Sequence, residues 1–227
     1  MSGRLKRQAF QEVDGDTEMQ PHNNPGHLIA IEGADGSGTS TMSRKLAERL
    51  DAHLTNEPTD KKVGEKVDEI ISDGGYSADT VALGFAFDRK LHLEEEIVPE
   101  LQKGNTVVTD RYYHSSLVYQ PIMGETRGEV ERLKDRVERL NLETVKPDLT
   151  IILDITPEEG EKRTKSREGG KDENIFENLS FQQKVVQAYR ELPEKLDEEV
   201  HVVDASKPKE EVFQEILEII KESQIDF

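Results

Sequence analysis

The stretches "LIAIE" (28–32), "TVVTD" (106–110), "LTIILD" (149–154) and "VHVVD" (200–204) are short, several of them almost wholly apolar, and long segments of helical periodicity separate them. Strands that alternate with helices in this way build a parallel sheet covered by helices. Continuous apolarity is what a strand buried on both faces requires. One more short strand is expected near "AHLTN" (52–56), with helices at about 39–51, 61–73, 78–103, 113–119, 126–144, 157–168, 178–197 and 208–223. The fold class is therefore α/β, a three-layer arrangement of a five-stranded parallel sheet flanked by helices. Thr156, Pro157 and Glu159 are expected to start one helix with a capping box. Val212, Ile216, Ile219 and Ile220 give the last helix a core-facing stripe. Glu32, Asp110 and Asp154 close three of the strands. Ligands of open α/β sheets bind beyond the carboxyl ends of strands, so chemistry is expected there.

The chain has 227 residues, enough for one such domain, read here as residues 27–227 behind a polar, flexible extension, 1–26. There is no cysteine, which rules out thiolate nucleophiles, disulfides and zinc–thiolate sites. A net charge of −18 argues against nucleic acid as a partner, because affinity for a polyanion comes from Lys and Arg. The acidic excess, including Glu94-Glu95-Glu96, reads as solvated helix faces. The apolar runs are far short of the ~20 residues of a membrane span, and the N-terminus has no apolar signal block. A cytoplasmic chain with small-molecule partners and no membrane association is the expectation.

After the first strand, Gly33-Ala34-Asp35-Gly36-Ser37-Gly38 fills the first six positions of the phosphate-binding pattern G-x-x-x-x-G-K-[ST]. Glycines allow backbone N–H groups to turn inward around a phosphate, and the helix that follows adds the positive end of its dipole. Ser40 stands where a hydroxyl would ligate magnesium, but Thr39 replaces the lysine. A plain strand-to-helix turn is the competing reading.

Taken in order, "IEGADGSG", "NEPTD", "GFAFDRKLHLEEEIVPELQKGNTVVTDRYYHSSLVYQ", "PDLTIILDITPEEGEKR" and "VDAS" resemble the thymidylate (dTMP) kinase family over residues 27–223. "FDR" and "DRYYHSSLVYQ" are the most specific pieces. The resemblance implies a P-loop NTPase-type fold with a small lid, phosphoryl transfer from ATP to dTMP with Mg2+, and a homodimer. Gly33, Gly36, Ser37, Gly38, Thr39, Ser40 and Thr41 are then expected to hold ATP, Ser40 also the metal. Asp35 is expected at the sugar 3′-hydroxyl, Phe85 stacked on the base, and Arg89 on a base oxygen. Asp110 and Arg111 are expected at the acceptor phosphate, Ser116 and Gln120 at the pyrimidine edge. Glu57-Pro58 matches a loop in which a cis peptide is common, and Phe176 stands where bulk excludes a 2′-hydroxyl. Core packing for Phe85, and surface ion pairs for Asp88-Arg89 and Asp110-Arg111, are the structural alternatives.

Phosphoryl transfer relies on a cation at the β/γ oxygens, and Thr39 brings none. Arg44 and Lys45 lie too far along the following helix to point back into the loop. The lid segment 159–174 carries Arg163 and Arg167, four apart on one helix face and expected to be catalytic with Arg111 and Asp110. In the family, a glycine at position 36 rather than an arginine accompanies a lid that supplies the arginines. A monovalent cation near Thr39 is a second arrangement. Two other functions remain open: kinase activity on another deoxynucleoside monophosphate, and nucleotide binding without efficient transfer.

Overall fold

The apolar run at 28–32 becomes β1 (Leu28–Gly33), buried at every position and central in the sheet. The computed structural model describes residues 22–168, 178–223 and 225, and of Arg167 and Glu168 the backbone alone. The strand order is β2 (His53–Asn56), β3 (Val107–Asp110), β1, β4 (Leu149–Asp154), β5 (Val200–Asp204), all parallel as expected. Ile31 pairs with Asp110 on one side and Ile151 on the other, so β1 and β3 end nearly level. The loops that leave them therefore meet.

The helices are α1 (Thr39–Leu50), α2 (Lys62–Asp73), α3 (Ala78–His92), α4 (Val98–Gln102), α5 (Tyr113–Ile122), α6 (Arg127–Asn141), α7 (Pro157–Glu168), α8 (Leu179–Lys195) and α9 (Lys209–Glu222). Successive side chains of a strand point to opposite faces. Accordingly Ile29 and Ile31 pack with Met42, Leu46, Ile216 and Ile220, whereas Leu28 and Ala30 pack with Leu93, Ile97 and Leu101. A third cluster, with Val118, Ile152, Val185 and Tyr189, seats α5 and α8 on β4. None of the described helices is long and apolar enough to cross a membrane.

Some local expectations change. A single π-helical turn, Leu93–Ile97, joins α3 to α4, burying Leu93 and Ile97 while Glu94 and Glu95 stay in solvent. Glu96 is less free than a solvated face implies, lying 2.9 Å from both His53 and Lys61. The Thr156 hydroxyl does cap the Glu159 N–H at 3.3 Å, but the Glu159 carboxylate faces Arg163 one turn on. The complete capping box is Thr126–Glu129, at the head of α6. Contacts with the domain also begin before residue 27. His22 lies 3.0 Å from Asp148, and the Gly26 N–H donates to Leu101 O.

Leu46 is fully buried where α1 meets the sheet. Leu46→Ala should cost about 2–5 kcal/mol, read as a lower urea midpoint with an unchanged slope.

Candidate active site

Residues 33–38 carry the chain from β1 into α1 through backbone that suits glycine: Gly36 has φ 79° and Gly38, the residue before the helix, φ 100°. A Cβ on Gly36 would come within 2.4 Å of Gly160 O, so the loop and the first turn of α7 touch backbone to backbone. A Cβ on Gly38 would meet nothing within 4 Å. That open side faces the start of α1, where exposed N–H groups and the helix dipole favour an anion. Ser37 Oγ is buried without a partner, and the Ser40 hydroxyl is exposed. Thr39 is 94 % hidden (6 % exposed) and uncharged. Lys45 is spent on Glu210 at 2.6 Å and on the Phe213 ring, and Arg44 faces solvent, so neither replaces the lysine.

Arg111 follows β3 with φ 66°, a left-handed conformation unusual for a residue with a side chain. This turns its guanidinium beneath the loop. It donates to Gly33 O at 2.9 Å and to Asp35 Oδ1 at 2.6 Å, and lies over the Tyr119 ring. Its partner is thus Asp35 rather than Asp110, and the surface-pair alternative fails. Asp35 also accepts from Tyr119 OH at 3.2 Å and from Gln182 Nε2 at 2.8 Å. Burial opposes the charge of Arg111, but the facing Tyr119, Asp35, Tyr189 and Glu32 outweigh it and raise its pKa well above the ordinary value. Asp110 keeps one buried oxygen, Oδ1, without a partner. Of the other strand-end acids, Glu32 is fully buried and Asp154 is held by both arms of Arg190, at 2.9 and 3.0 Å.

Beside Arg111 a cleft of about 190 Å³ is lined by Asp35, Glu57, Phe85, Arg89, Ser116 and Gln120, together with Tyr112 and Tyr119. Phe85 belongs to this wall and stays half-buried, which answers the core alternative. Arg89, 2 % exposed, is fixed on three sides: Glu57 at 2.7 Å, Asn141 at 2.6 Å and Ser116 at 3.1 Å. Neighbouring Asp88 is a separate clamp on Thr59, whose N–H and hydroxyl it accepts. The Glu57-Pro58 peptide is cis. Gln120 Oε1 is buried without a partner, an acceptor left for a ligand. On the other side of the loop a second cleft, about 370 Å³, is lined by Ser37, Gly38, Thr41, Arg163, Ser166 and Lys207. Arg163 reaches it from α7 while donating to Glu159 at 3.1 Å and Ala205 O at 3.1 Å. Arg167 shares the helix, but its side chain and Phe176 lie outside the described residues.

Tyr119, Gln182, Tyr189 and Ser115 complete the setting of Arg111 and Asp35, and sequence reasoning gave them no role. Tyr119 and Ser115 lie inside the "DRYYHSSLVYQ" run, so that motif was their signal. Gln182 and Tyr189 sit on α8, where the periodicity marks only a buried face.

Glu57 is as buried as the arginine it neutralises, each side chain 2 % exposed. Removing one partner of a buried pair strands the other charge, so Glu57→Ala should cost about 3–5 kcal/mol. Urea melts check this, and Glu57→Ala with Arg89→Met should lose less than Glu57→Ala alone.

The sequence profile described as "Thymidylate kinase" matches residues 31–216. The chain is 36 % identical over 210 residues to a "Thymidylate kinase" of Bacillus pumilus (strain SAFR-032), covering 87 % of this chain and 96 % of that protein. It is 39 % identical over 196 residues to a "Probable thymidylate kinase" of Methanococcus vannielii, covering 83 % and 92 %. A "Thymidylate kinase" of Jannaschia sp. (strain CCS1) is 36 % identical over 204 residues, 86 % of this chain and 96 % of that one. With the glycine loop and the two clefts that adjoin it, these matches establish that the chain belongs to the thymidylate kinase family.

Proposed function

We propose that this chain transfers the γ-phosphoryl group of ATP to dTMP. The observation that carries this reading is one loop with a cleft on each side, Asp35 in the smaller, and Ser37 and Gly38 in the larger. An oxygen of the dTMP phosphate attacks the γ-phosphorus, the bond to the β-phosphate oxygen breaks, and ADP and dTDP leave. The protein's part is alignment and charge stabilisation.

In the smaller cleft Phe85 offers a face for the base, Gln120 Oε1 and Arg89 its polar edge, and Asp35 the sugar hydroxyl. The carboxylate of Glu57 is occupied by Arg89 and by His92 at 3.1 Å, so it serves the base through Arg89. Arg111 lines the smaller cleft and donates to Gly33 O at the base of the loop, from where its charge serves the acceptor phosphate and the group being transferred. Residues 36–41 hold the donor phosphates: the orphaned Ser37 Oγ and the open face of Gly38 fit them, and Ser40 offers an exposed hydroxyl to magnesium. Among the described residues no group of three or more His, Asp or Glu is arranged to hold a metal. Magnesium held by the Ser40 hydroxyl would supply positive charge against the charge developing on the transferring phosphoryl group.

Arg111 and the lid arginines Arg163 and Arg167 replace the missing lysine. Purified protein with ATP and Mg2+, scanned over nucleoside monophosphates, should release ADP fastest with dTMP. A maximum on another monophosphate, or tight dTMP binding without turnover, would sink the reading. In the same assay at least one of Arg163→Ala and Arg167→Ala should fall at least tenfold, and exchanging potassium for sodium should change nothing.

The chain also pairs with a second copy through α3, where Leu83 and Phe87, one turn apart, are 45 % and 58 % exposed. Phe87→Asp should convert a dimer to a monomer in sedimentation. A monomeric parent protein would remove this proposal.

A further inference from the structure

Behind the site lies a buried histidine that the reaction itself does not touch. His114 follows Arg111 by three residues and is fully buried. Its Nε2 is 2.9 Å from Glu198 Oε2 and its Nδ1 3.6 Å from Glu32 Oε1. Thr150 Oγ1 of β4 lies 3.4 Å from Nε2, and the Tyr113 ring stacks on the imidazole at 4.1 Å. Two carboxylates thus flank one ring, with side chains 0 % and 2 % exposed. Buried carboxylates need a compensating cation. Arg111 contributes to Glu32 from a distance while donating to Asp35, and the ring lies between the two carboxylates.

What Glu32 does gives the ring its leverage. The Glu32 carboxylate accepts the Tyr112 N–H at 2.7 Å, the Ser115 hydroxyl at 2.7 Å and the Tyr189 hydroxyl at 2.9 Å. An ionised carboxylate only accepts, so both hydroxyls must donate to it and keep their lone pairs for other donors. Those lone pairs face Arg111, whose Nη1 lies 3.3 Å from Ser115 Oγ and 3.4 Å from Tyr189 OH. The same carboxylate pins the backbone one residue beyond the left-handed Arg111.

We propose that His114 is a positioning residue for phosphoryl transfer: as an imidazolium between Glu32 and Glu198 it keeps Glu32 an acceptor, and so holds Arg111 in place beneath the phosphate loop. The groups around it are consistent. Burial alone would lower the pKa of His114, but Glu198 and Glu32 outweigh burial and raise it. Burial would raise Glu32, but His114, Arg111 and the Ser115 hydroxyl lower it. Glu198 is likewise lowered against its burial by His114, Tyr113 and Lys146. The titratable groups that face the ring are Glu32 on β1, Glu198 before β5 and Tyr113 at the head of α5; Tyr189 and Arg111 act on Glu32, and Lys146 on Glu198. The charged ring's contribution is complete below its ordinary pKa and fades as pH rises through the raised native value. That of Glu32 is complete above the ordinary carboxylate value and fades as pH falls through the lowered one. Positioning should hold between these limits and fail first on the alkaline side when His114 loses its proton.

This inference rests on the kinase reading for its rate measurements, and one arm of the test is independent of activity. His114→Gln keeps a hydrogen-bonding group at Glu198 and removes the charge. At pH 7 its kcat/KM for dTMP should fall at least tenfold while the KM for ATP stays within twofold, and the alkaline limb of the wild-type profile should be absent. A variant with the parent's profile, or one in which both substrates suffer alike, overturns the proposal. The second arm uses wild-type protein labelled with nitrogen-15. The His114 ring should titrate above the ordinary imidazole value, and the Arg111 Nε–H resonance should shift with the same midpoint. A ring that titrates at or below the ordinary value, or an Arg111 resonance indifferent to it, overturns the proposal even if the variant fails to fold. Absence of turnover on dTMP in wild-type protein would instead count against the kinase reading alone.

Discussion

Arg111 joins two pieces of chain that the sheet only brings near each other. β1 and β3 are hydrogen-bonded neighbours with level ends, but the loops beyond them have no ladder to keep them in register. The Arg111 guanidinium links them through Gly33 O and Asp35, beside the bonds that Glu32 and Tyr119 make across the same gap, and the left-handed backbone at its own residue aims it there. A planar, five-donor group can satisfy several acceptors at once, which an ammonium on a flexible stem does less well. The acceptor cleft, the phosphate loop and the buried Glu32 network are all arranged around this side chain.

Thr39 in place of a lysine leaves the backbone of the loop unchanged and removes a charge from it. Backbone amides and the helix dipole at the head of α1 do not depend on residue 39, and Ser37 and Ser40 keep their hydroxyls. What is lost is a mobile point charge at the donor. Two of the described cations near the loop, Arg111 and Arg163, are held by protein acceptors, so they are preorganised rather than free. Preorganised charge needs little rearrangement at the moment of reaction.

Much of the fold was legible because a parallel strand buried on both faces cannot disguise itself: "LIAIE" and "LTIILD" have no polar side to confuse their assignment. The cleft was legible where a short motif fixed it, as with Asp35, Arg89 and Arg111. Periodicity alone could not separate a core Phe85 from one lining a cleft, because both occupy the inner side of a helix and only the neighbouring helices decide. Tyr189 and Gln182 were hidden for a related reason. Their helical spacing predicts burial, but the reach of a hydroxyl or amide to Glu32 or Asp35 depends on how α8 crosses the sheet. The two Thr-x-x-Glu starts show competition at the smallest scale. Thr126–Glu129 closes its box, whereas Glu159 has an arginine four residues on.

The backbone contact between Gly36 and Gly160 limits how such an enzyme is assembled. Any side chain at position 36 would collide with the peptide of Gly160, and a side chain at 160 would meet Asp35 O at 2.6 Å. An arginine at position 36 and a helix α7 seated this close to the loop therefore exclude one another by volume, before electrostatics enters. The two glycines thus let the loop after β1 and the first turn of α7 sit one peptide's thickness apart, a spacing that a side chain at either position would have to widen.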